Sequence, residues 1–397
     1  MDFQWNVEAE DYRREFEDYF REAMKHAPPG WMLAGLGELE EKEEVWEFHS
    51  QMQRDLGERG WLAMAWPKEY GGLGVSHMIQ FIFNEVRGYY EAPGVDIFGV
   101  GMIGPTLMLH GTKEQKKEFL PSIARGEINW SQAWSEPNAG SDLAALTTRA
   151  ISDGDDYIVN GQKVWTSAAH HAQWTFTLVR TDPNQPRHRG ITYLLMPLDS
   201  PGVEIRPLPN IARQHHYNEI FFTDVRVPKR YRVGEENRGW YITLDTMNFE
   251  RSGIERIASL RRRLEELVQF CRETKWNGKV LADSPLVRNR LADLAIDYQV
   301  ARSYCLQIMW AQMRGAMTAP MASAAKVFGS ELLQHVARMG LTLMGQFGGL
   351  EKGSKWAPLQ GRFILTYMEA PGGNIAAGTS EIHRNIIAWR GLGLPRT

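Results

Sequence analysis

Cysteine is scarce in this 397-residue chain: Cys271 and Cys305 are the only two. That excludes a disulfide framework and a cysteine-built metal site. Surplus positive charge is missing as well, with 45 Lys and Arg against 48 Asp and Glu and a formal net charge of −3. Nucleic-acid binding needs a basic footprint, so that class drops out. No apolar run approaches the ~18 residues of a membrane span, and no membrane partner is expected. No His is followed by Glu and no Gly-Lys-Ser/Thr occurs, so neither a zinc-protease helix nor a phosphate loop is present; no metal is expected. The opening, MDFQWNVEAEDYRREFEDYF, is acidic and amphipathic, unlike a secretory or transit peptide. A soluble, cytoplasmic protein is the expectation.

Hydrophobic residues make up 43% and charged residues 23%, the balance of a folded globular chain. The length implies two to three domains. Texture changes twice along it. Residues 1–128 are charge-dense helical patterns: Tyr12, Phe16, Tyr19 and Phe20 share one face, and Leu39, Val45, Trp46 and Phe48 recur in a second stretch. Residues 129–238 hold short alternating runs separated by turn clusters, among them Gln173–Val179, Gly190–Met196, Val203–Pro207 and Glu219–Val227. Long helical patterns return at 241–273, 286–314 and 321–346, closed by Ile375–Trp389, so 239–397 reads as a helical bundle. The fold class expected is α+β, in three domains ordered α, β, α.

Three segments invite chemistry. Ser131–Asp142, SQAWSEPNAGSD, is a polar loop with Pro137, Asn138 and Gly140; its backbone N–H groups suit an anionic or hydrogen-bonding cofactor edge, or an ordinary surface turn. Asn160–Ser167, NGQKVWTS, reads as an Asn-Gly hairpin turn followed by a strand that carries Trp165. Gly378-Thr379-Ser380-Glu381 reads as a helix start, either a simple cap or an anion site. The GVGMIG at Gly99–Gly104 lies in a helical region next to Pro105 and is not read as a dinucleotide fingerprint.

Taken together, SEPNAGSD, NGQKVWTS, FFTDVRVP, VGEENRGW and GTSEIHRNIIAWRGLGLP resemble the successive signatures of the acyl-CoA dehydrogenases, over nearly the whole chain. The resemblance implies FAD as cofactor, an N-terminal helical domain, a central β-barrel domain and a C-terminal four-helix bundle. By position, Ala133, Trp134 and Ser135 line the pyrimidine edge of the flavin, partly through backbone groups, with Gly140 in the same loop. Ser141 holds the pyrophosphate or a CoA phosphate, Trp165 packs on the isoalloxazine, and Ser167 lies near N5. Thr379 and Glu381 fall to the cofactor, and Ala377 and Gly378 to the substrate thioester.

The reaction implied is α,β-dehydrogenation, which needs a base at the substrate α-carbon. Many members carry that Glu just before the Gly-Thr of the C-terminal motif, where this chain has Ala377; its N–H can still serve the thioester oxygen. Others, such as isovaleryl-CoA dehydrogenases, carry it where this chain has Asn248-Phe249-Glu250-Arg251, so Glu250 is expected as base and Arg251 as its orienting partner. Glu91 and Asp96 are outside candidates. The family's FAD-reaching Arg falls on Thr274, leaving Arg272 or Lys275 to substitute, and a family Gln falls on Thr342. Arg261–Arg263 reads as a solvated helix face, His215-His216 as surface, and His170-His171 as a possible border of the site. The expected partners are an acyl-CoA, resembling those with bulky or branched chains, and an electron-transfer flavoprotein. A homodimer or homotetramer is expected; Ala377 and Thr274 also suit a non-catalytic or half-site subunit of a heteromer, and a flavin oxidase or lyase of the same fold is the other alternative.

Overall fold

The computed structural model describes residues 5–29, 31, 43–247, 253–316 and 318–396. Its helices in chain order are α1 (Val7–Ala23), α2 (Glu43–Glu58), α3 (His77–Tyr90), α4 (Gly104–His110), α5 (Lys113–Ala124), α6 (Gly239–Thr246), α7 (Ile254–Glu273), α8 (Pro285–Met313), α9 (Ala319–Met344), α10 (Arg362–Ile375) and α11 (Ser380–Ile386). Between α5 and α6 run strands β1 (Trp130–Ala133), β2 (Arg149–Asp153), β3 (Asp156–Ser167), β4 (Trp174–Arg180), β5 (Ile191–Pro197), β6 (Val203–Leu208), β7 (Tyr217–Pro228) and β8 (Arg232–Val233). The order is helices, then strands, then helices, as the changes of period require. No described helix is long and apolar enough to cross a membrane.

The chain divides into two compact units. One gathers α1, α3 and α7 to α11. α1 starts where the Asn6 side chain accepts from the Ala9 N–H at 2.9 Å, satisfying an orphan donor of the first turn. Its buried face presents Phe16 and Phe20 to Phe83 of α3, with ring centroids 5.3 and 5.6 Å apart. Burying each such ring contributes roughly 1.5–3 kcal/mol. α7, α8, α9 and α10 form a four-helix bundle around Leu260, Leu267, Leu294, Leu306, Leu332 and Phe363. At the crossing of α9 with α10, a Cβ on Gly340 would lie 2.0 Å from the Phe363 ring, so only glycine admits this approach. α10 went unread in the sequence because GSKWAP precedes it and Pro371-Gly372-Gly373 falls inside it.

The other unit holds α2, α4, α5, α6 and one eight-stranded mixed sheet, ordered β6-β7-β3-β2-β4-β5-β8 with β1 added in parallel beside β4. The inner face carries Tyr157, Phe176, Tyr193, Leu195 and Phe222, joined by Trp130 and Trp134 of the β1 segment. Asn160-Gly161 is not the hairpin turn that its sequence suggests. The β2–β3 turn falls at Gly154-Asp155, and Gly161 lies within β3 at a register shift against β7. A Cβ on Gly161 would come within 2.7 Å of Thr148, so the glycine permits close passage of the neighbouring backbone.

Candidate functional site

In the sheet unit, the SEPNAG loop and the far end of β3 meet. Glu136 and Ala139 exchange backbone bonds of 3.1 and 3.0 Å, closing a tight turn over Pro137-Asn138. The Ser135 carbonyl accepts from the Val164 N–H at 3.0 Å, tying this loop to β3. β3 then bulges: register against β7 is lost between Lys163 and Thr166, and Trp165 takes a φ of 61°. Two successive buried residues, Lys163 and Val164, are followed by Trp165, whose side is 59% exposed. The bulge therefore turns a large flat apolar ring outward, steadied edge-on by Tyr217 at 5.8 Å.

On the β1 segment and at the bulge, buried polar atoms lack partners. Ser131 Oγ, Trp134 Nε1 and Thr166 Oγ1 make no hydrogen bond, although such orphans are rare in native interiors. An outward-turned flat ring on the strand that binds the Ser135 carbonyl, with the Ser135 N–H taken up by none of the described residues, suits a planar heteroaromatic ring with a polar rim. Ala133 is fully buried, and its carbonyl is taken by Thr177 Oγ1 at 2.6 Å. The Trp134 indole points into the core, edge-on to Phe176 and Tyr193, so this residue offers the site its backbone and not its ring. Ser135 and Ser167 are half-buried, whereas Gly140 and Ser141 are exposed.

Sequence reasoning missed the pair that holds this region together. Lys163 is fully buried and donates to Glu136 Oε1 at 2.8 Å and to the Trp134 carbonyl at 3.1 Å. Glu136 in turn accepts from the Thr147 N–H, the Thr147 hydroxyl and the Thr148 N–H at 2.6, 2.8 and 2.9 Å. The available signal was a Lys and a Glu, each in the middle of its motif and flanked by residues destined for burial.

After Ser167 the chain turns through Ala168 at φ 53° into stacked rings. His170 lies on His215 at 3.9 Å, His171 on Trp46 at 3.9 Å, and Trp46 on His49 at 4.7 Å. His215 is half-buried: one face of its ring lies on His170, and Nε2 meets Asn218 Oδ1 at 2.8 Å. Asn218 Nδ2 donates to the Thr166 carbonyl at 3.1 Å and to His170 Nδ1 at 3.0 Å, which makes His170 a neutral acceptor. Burial, with His171 and His215 alongside, pushes the His170 pKa down to about 3 against the pull of Asn218. An imidazole that protonates more readily unfolded than folded draws stability away as pH falls below ~6.5. The urea midpoint should therefore drop between pH 7 and pH 5, and His170→Phe should flatten that dependence. An identical acid slope in the variant would show that His170 is not its source.

In the helical unit, Ala377 and Gly378 both take positive φ, 54° and 88°. The Ala377 carbonyl meets His383 Nε2 at 3.0 Å, and the Gly378 carbonyl accepts from Lys326 Nζ at 2.7 Å. Thr379 caps α11, its hydroxyl accepting from the Ile382 N–H at 3.2 Å. Glu381 stands exposed in the first turn, its pKa held down by its own N–H and by the Thr379 hydroxyl. Arg272 is exposed in the last turn of α7, Thr274 caps that helix, and Lys275 begins a small hairpin over Asn277-Gly278. Thr342 returns its hydroxyl to the Arg338 carbonyl within α9 at 2.9 Å. Glu250 and Arg251 lie outside the described residues.

The outside acids have structural work. Glu91 ends α3 and is bound by Arg263 at 3.0 Å and by the buried Arg362. The Arg261–Arg263 run is accordingly not a solvated face throughout, since Arg263 turns inward to this carboxylate. Asp96 is buried, which raises its pKa to about 7, and it accepts from the Phe98 and Trp130 N–H groups at 3.0 and 2.8 Å. Among the described residues no cluster of His, Cys, Asp and Glu could hold a metal ion.

Three family models match in succession: the acyl-CoA dehydrogenase N-terminal domain over residues 8–127, the middle domain over 131–225 and the C-terminal domain over 237–392. The chain is 37% identical to the acyl-CoA dehydrogenase FadE26 of Mycobacterium tuberculosis over 403 residues, covering 100% of this chain and 99% of the relative. Among solved structures, a chain of the ChsE4-ChsE5 complex from Mycobacterium tuberculosis superposes with a TM-score of 0.88 at 36% identity, covering 100% of each chain. A chain of the Tcur3481-Tcur3483 steroid acyl-CoA dehydrogenase does so with a TM-score of 0.89 at 32% identity, again covering 100% of each. With all three domain models in register along one fold, the chain belongs to the acyl-CoA dehydrogenase family and is an acyl-CoA dehydrogenase.

Proposed function

We propose that this enzyme is FAD-dependent and oxidises an acyl-CoA to the trans-2-enoyl-CoA, with Glu250 as the base that takes the α-proton. The family is flavin-dependent in general. The observation that carries FAD to this chain is the outward-turned Trp165 ring on the strand tied to Ser135, whose N–H is taken up by none of the described residues. Residues 133–135 would receive the pyrimidine edge, Trp165 a face of the ring, Ser167 the region of N5, and Gly140 and Ser141 the phosphates. Arg272, Thr379 and Glu381 are assigned to the remainder of the cofactor. Bound there, FAD supplies the hydride acceptor at N5 and passes its electrons to an electron-transfer flavoprotein. Trp165 excludes water from that face. Ala377 and Gly378 present N–H groups to the thioester oxygen, which lowers the cost of the developing enolate while Glu250, oriented by Arg251, removes the proton.

The relatives suggest a bulky substrate, since one is named a steroid enzyme. They also favour a second reading of assembly, because one is named as a complex of two different proteins and another carries two protein names. A heteromer with a related chain is therefore weighed beside a homodimer or homotetramer, and the cytoplasm is the compartment proposed. Anaerobic addition of acyl-CoAs to the purified FAD-loaded protein tests the activity. Bleaching of the flavin by a branched or ring-bearing acyl-CoA is expected. Protein that takes up no FAD alone, but does so with a second chain, would favour the heteromer.

A further inference from the structure

A buried ion pair rarely stabilises a fold by itself, because desolvation offsets most of its attraction. Lys163 and Glu136 are such a pair, and their placement bears on one particular peptide bond. The Trp134 carbonyl and the Ser135 N–H belong to the same trans peptide, so they point in opposite directions. The carbonyl faces the Lys163 ammonium at 3.1 Å. The Ser135 N–H is thereby fixed on the other side, and none of the described residues accepts from it. The next peptide is fixed too, through the bond from Val164 N to the Ser135 carbonyl at 3.0 Å. This leaves a spare donor that cannot swing, backed by a cation.

We propose that Lys163 and Glu136 are positioning residues that aim and polarise the Ser135 N–H toward the pyrimidine edge of the flavin, and so set the reduction potential of the cofactor. The inference rests on the reading that residues 133–135 receive the flavin. A cation on the carbonyl draws electron density from the peptide and strengthens donation by its N–H, as in any chain of polarised hydrogen bonds. The pyrimidine edge gains negative charge on two-electron reduction, so a stronger donor there favours the reduced form. Glu136 opposes that effect in part while holding the ammonium in place. Burial lowers the Lys163 pKa, with Glu136 opposing the change; burial would raise that of Glu136, but the Lys163 charge and the Thr147 and Thr148 donors hold it low. Both groups are therefore charged at neutral pH.

The two halves of the pair must act with opposite sign, which a merely structural role would not produce. The test is an anaerobic reductive titration of the full-length FAD-loaded protein against a reference dye. Lys163→Met is expected to shift the ratio of reduced to oxidised flavin about tenfold toward oxidised, which is about 30 mV lower for a two-electron couple. Because Lys163 would lose its proton without the Glu136 charge, the carboxylate is tested beside an arginine, which stays charged: Lys163→Arg with Glu136→Gln is expected to shift the ratio about tenfold toward reduced relative to Lys163→Arg alone. Shifts of the same sign, or none, in variants that retain FAD would overturn the proposal. Should Lys163→Met fail to fold, the comparison of Lys163→Arg with and without Glu136→Gln decides alone: a potential raised by the second substitution supports the relay, and an unchanged or lowered one overturns it. A wild-type protein that binds no FAD under any pairing removes the underlying reading of residues 133–135 instead.

Discussion

Glu250→Gln is expected to lower acyl-CoA-dependent turnover by about 10²–10⁴-fold, with the flavin still bound and yellow. That corresponds to about 2.7–5.4 kcal/mol of transition-state stabilisation. The substitution preserves shape and removes only the proton acceptor. An α-hydrogen beside a thioester is too weak an acid to be lost to water at this rate. At the family's other base position this chain has Ala377, a methyl group in a turn whose φ is 54°. Glu91 is committed to Arg263 and Arg362, and Asp96 to backbone N–H groups, so neither carboxylate stands ready as a substitute. Single-turnover bleaching under anaerobic conditions measures the step directly. Bleaching at the wild-type rate would mean that Glu250 is not the base. Ala377→Glu added to the Gln variant asks whether the empty position can take over, and partial recovery is expected.

Arg362→Met is expected to destabilise the fold by about 3 kcal/mol, near the low end for a broken buried ion pair, because Arg263 stays on Glu91. Arg362 is almost fully buried at the start of α10 and holds both Glu91 and Glu266, the latter at 3.3 Å. Methionine fills similar volume but leaves two carboxylates to share Arg263 and the half-exposed Arg262, which reaches Glu266 at 3.2 Å. Urea unfolding gives the loss. Adding Glu91→Gln should return part of it, since the uncompensated charge then disappears. Strict additivity of the two substitutions would show that Arg362 contributes by packing alone.

Local patterns carried much of this architecture. Aromatics at helical spacing fixed the buried face of α1 at Phe16 and Phe20, and alternation placed Glu219–Val227 inside β7, which runs from Tyr217 to Pro228. The order of helices, strands and helices followed from the same periods, and the family from motifs that each occupy fewer than twenty residues. What escaped was non-local. Gly161 reads as a turn residue until Thr148 is seen passing beside it. Lys163 reads as a solvent-facing charge, because its partner Glu136 stands 27 positions earlier. Trp134 and Trp165 look equivalent in composition, yet the β3 bulge exposes one and the core takes the other. His215 looks exposed until His170 is stacked on it. For Lys163 and His215 the deciding partner stands 27 and 45 positions away, and no local pattern contains both.

The helical unit draws on both ends of the chain, with consequences for its birth on the ribosome. α3 ends at Tyr90, and its bundle partner α7 begins at Ile254, roughly 160 residues and about 8–30 s later at ordinary rates of synthesis. Through that interval Phe16, Phe20 and Phe83 can cover one another, but Phe81 and Met78 have no bundle to enter. The sheet unit, which is synthesised by then as far as Glu250, is free to fold before the bundle is complete. The aromatic seam between α1 and α3 is therefore the stretch that a nascent-chain chaperone would guard, and substitutions there should depress yield more than they depress the stability of the finished protein.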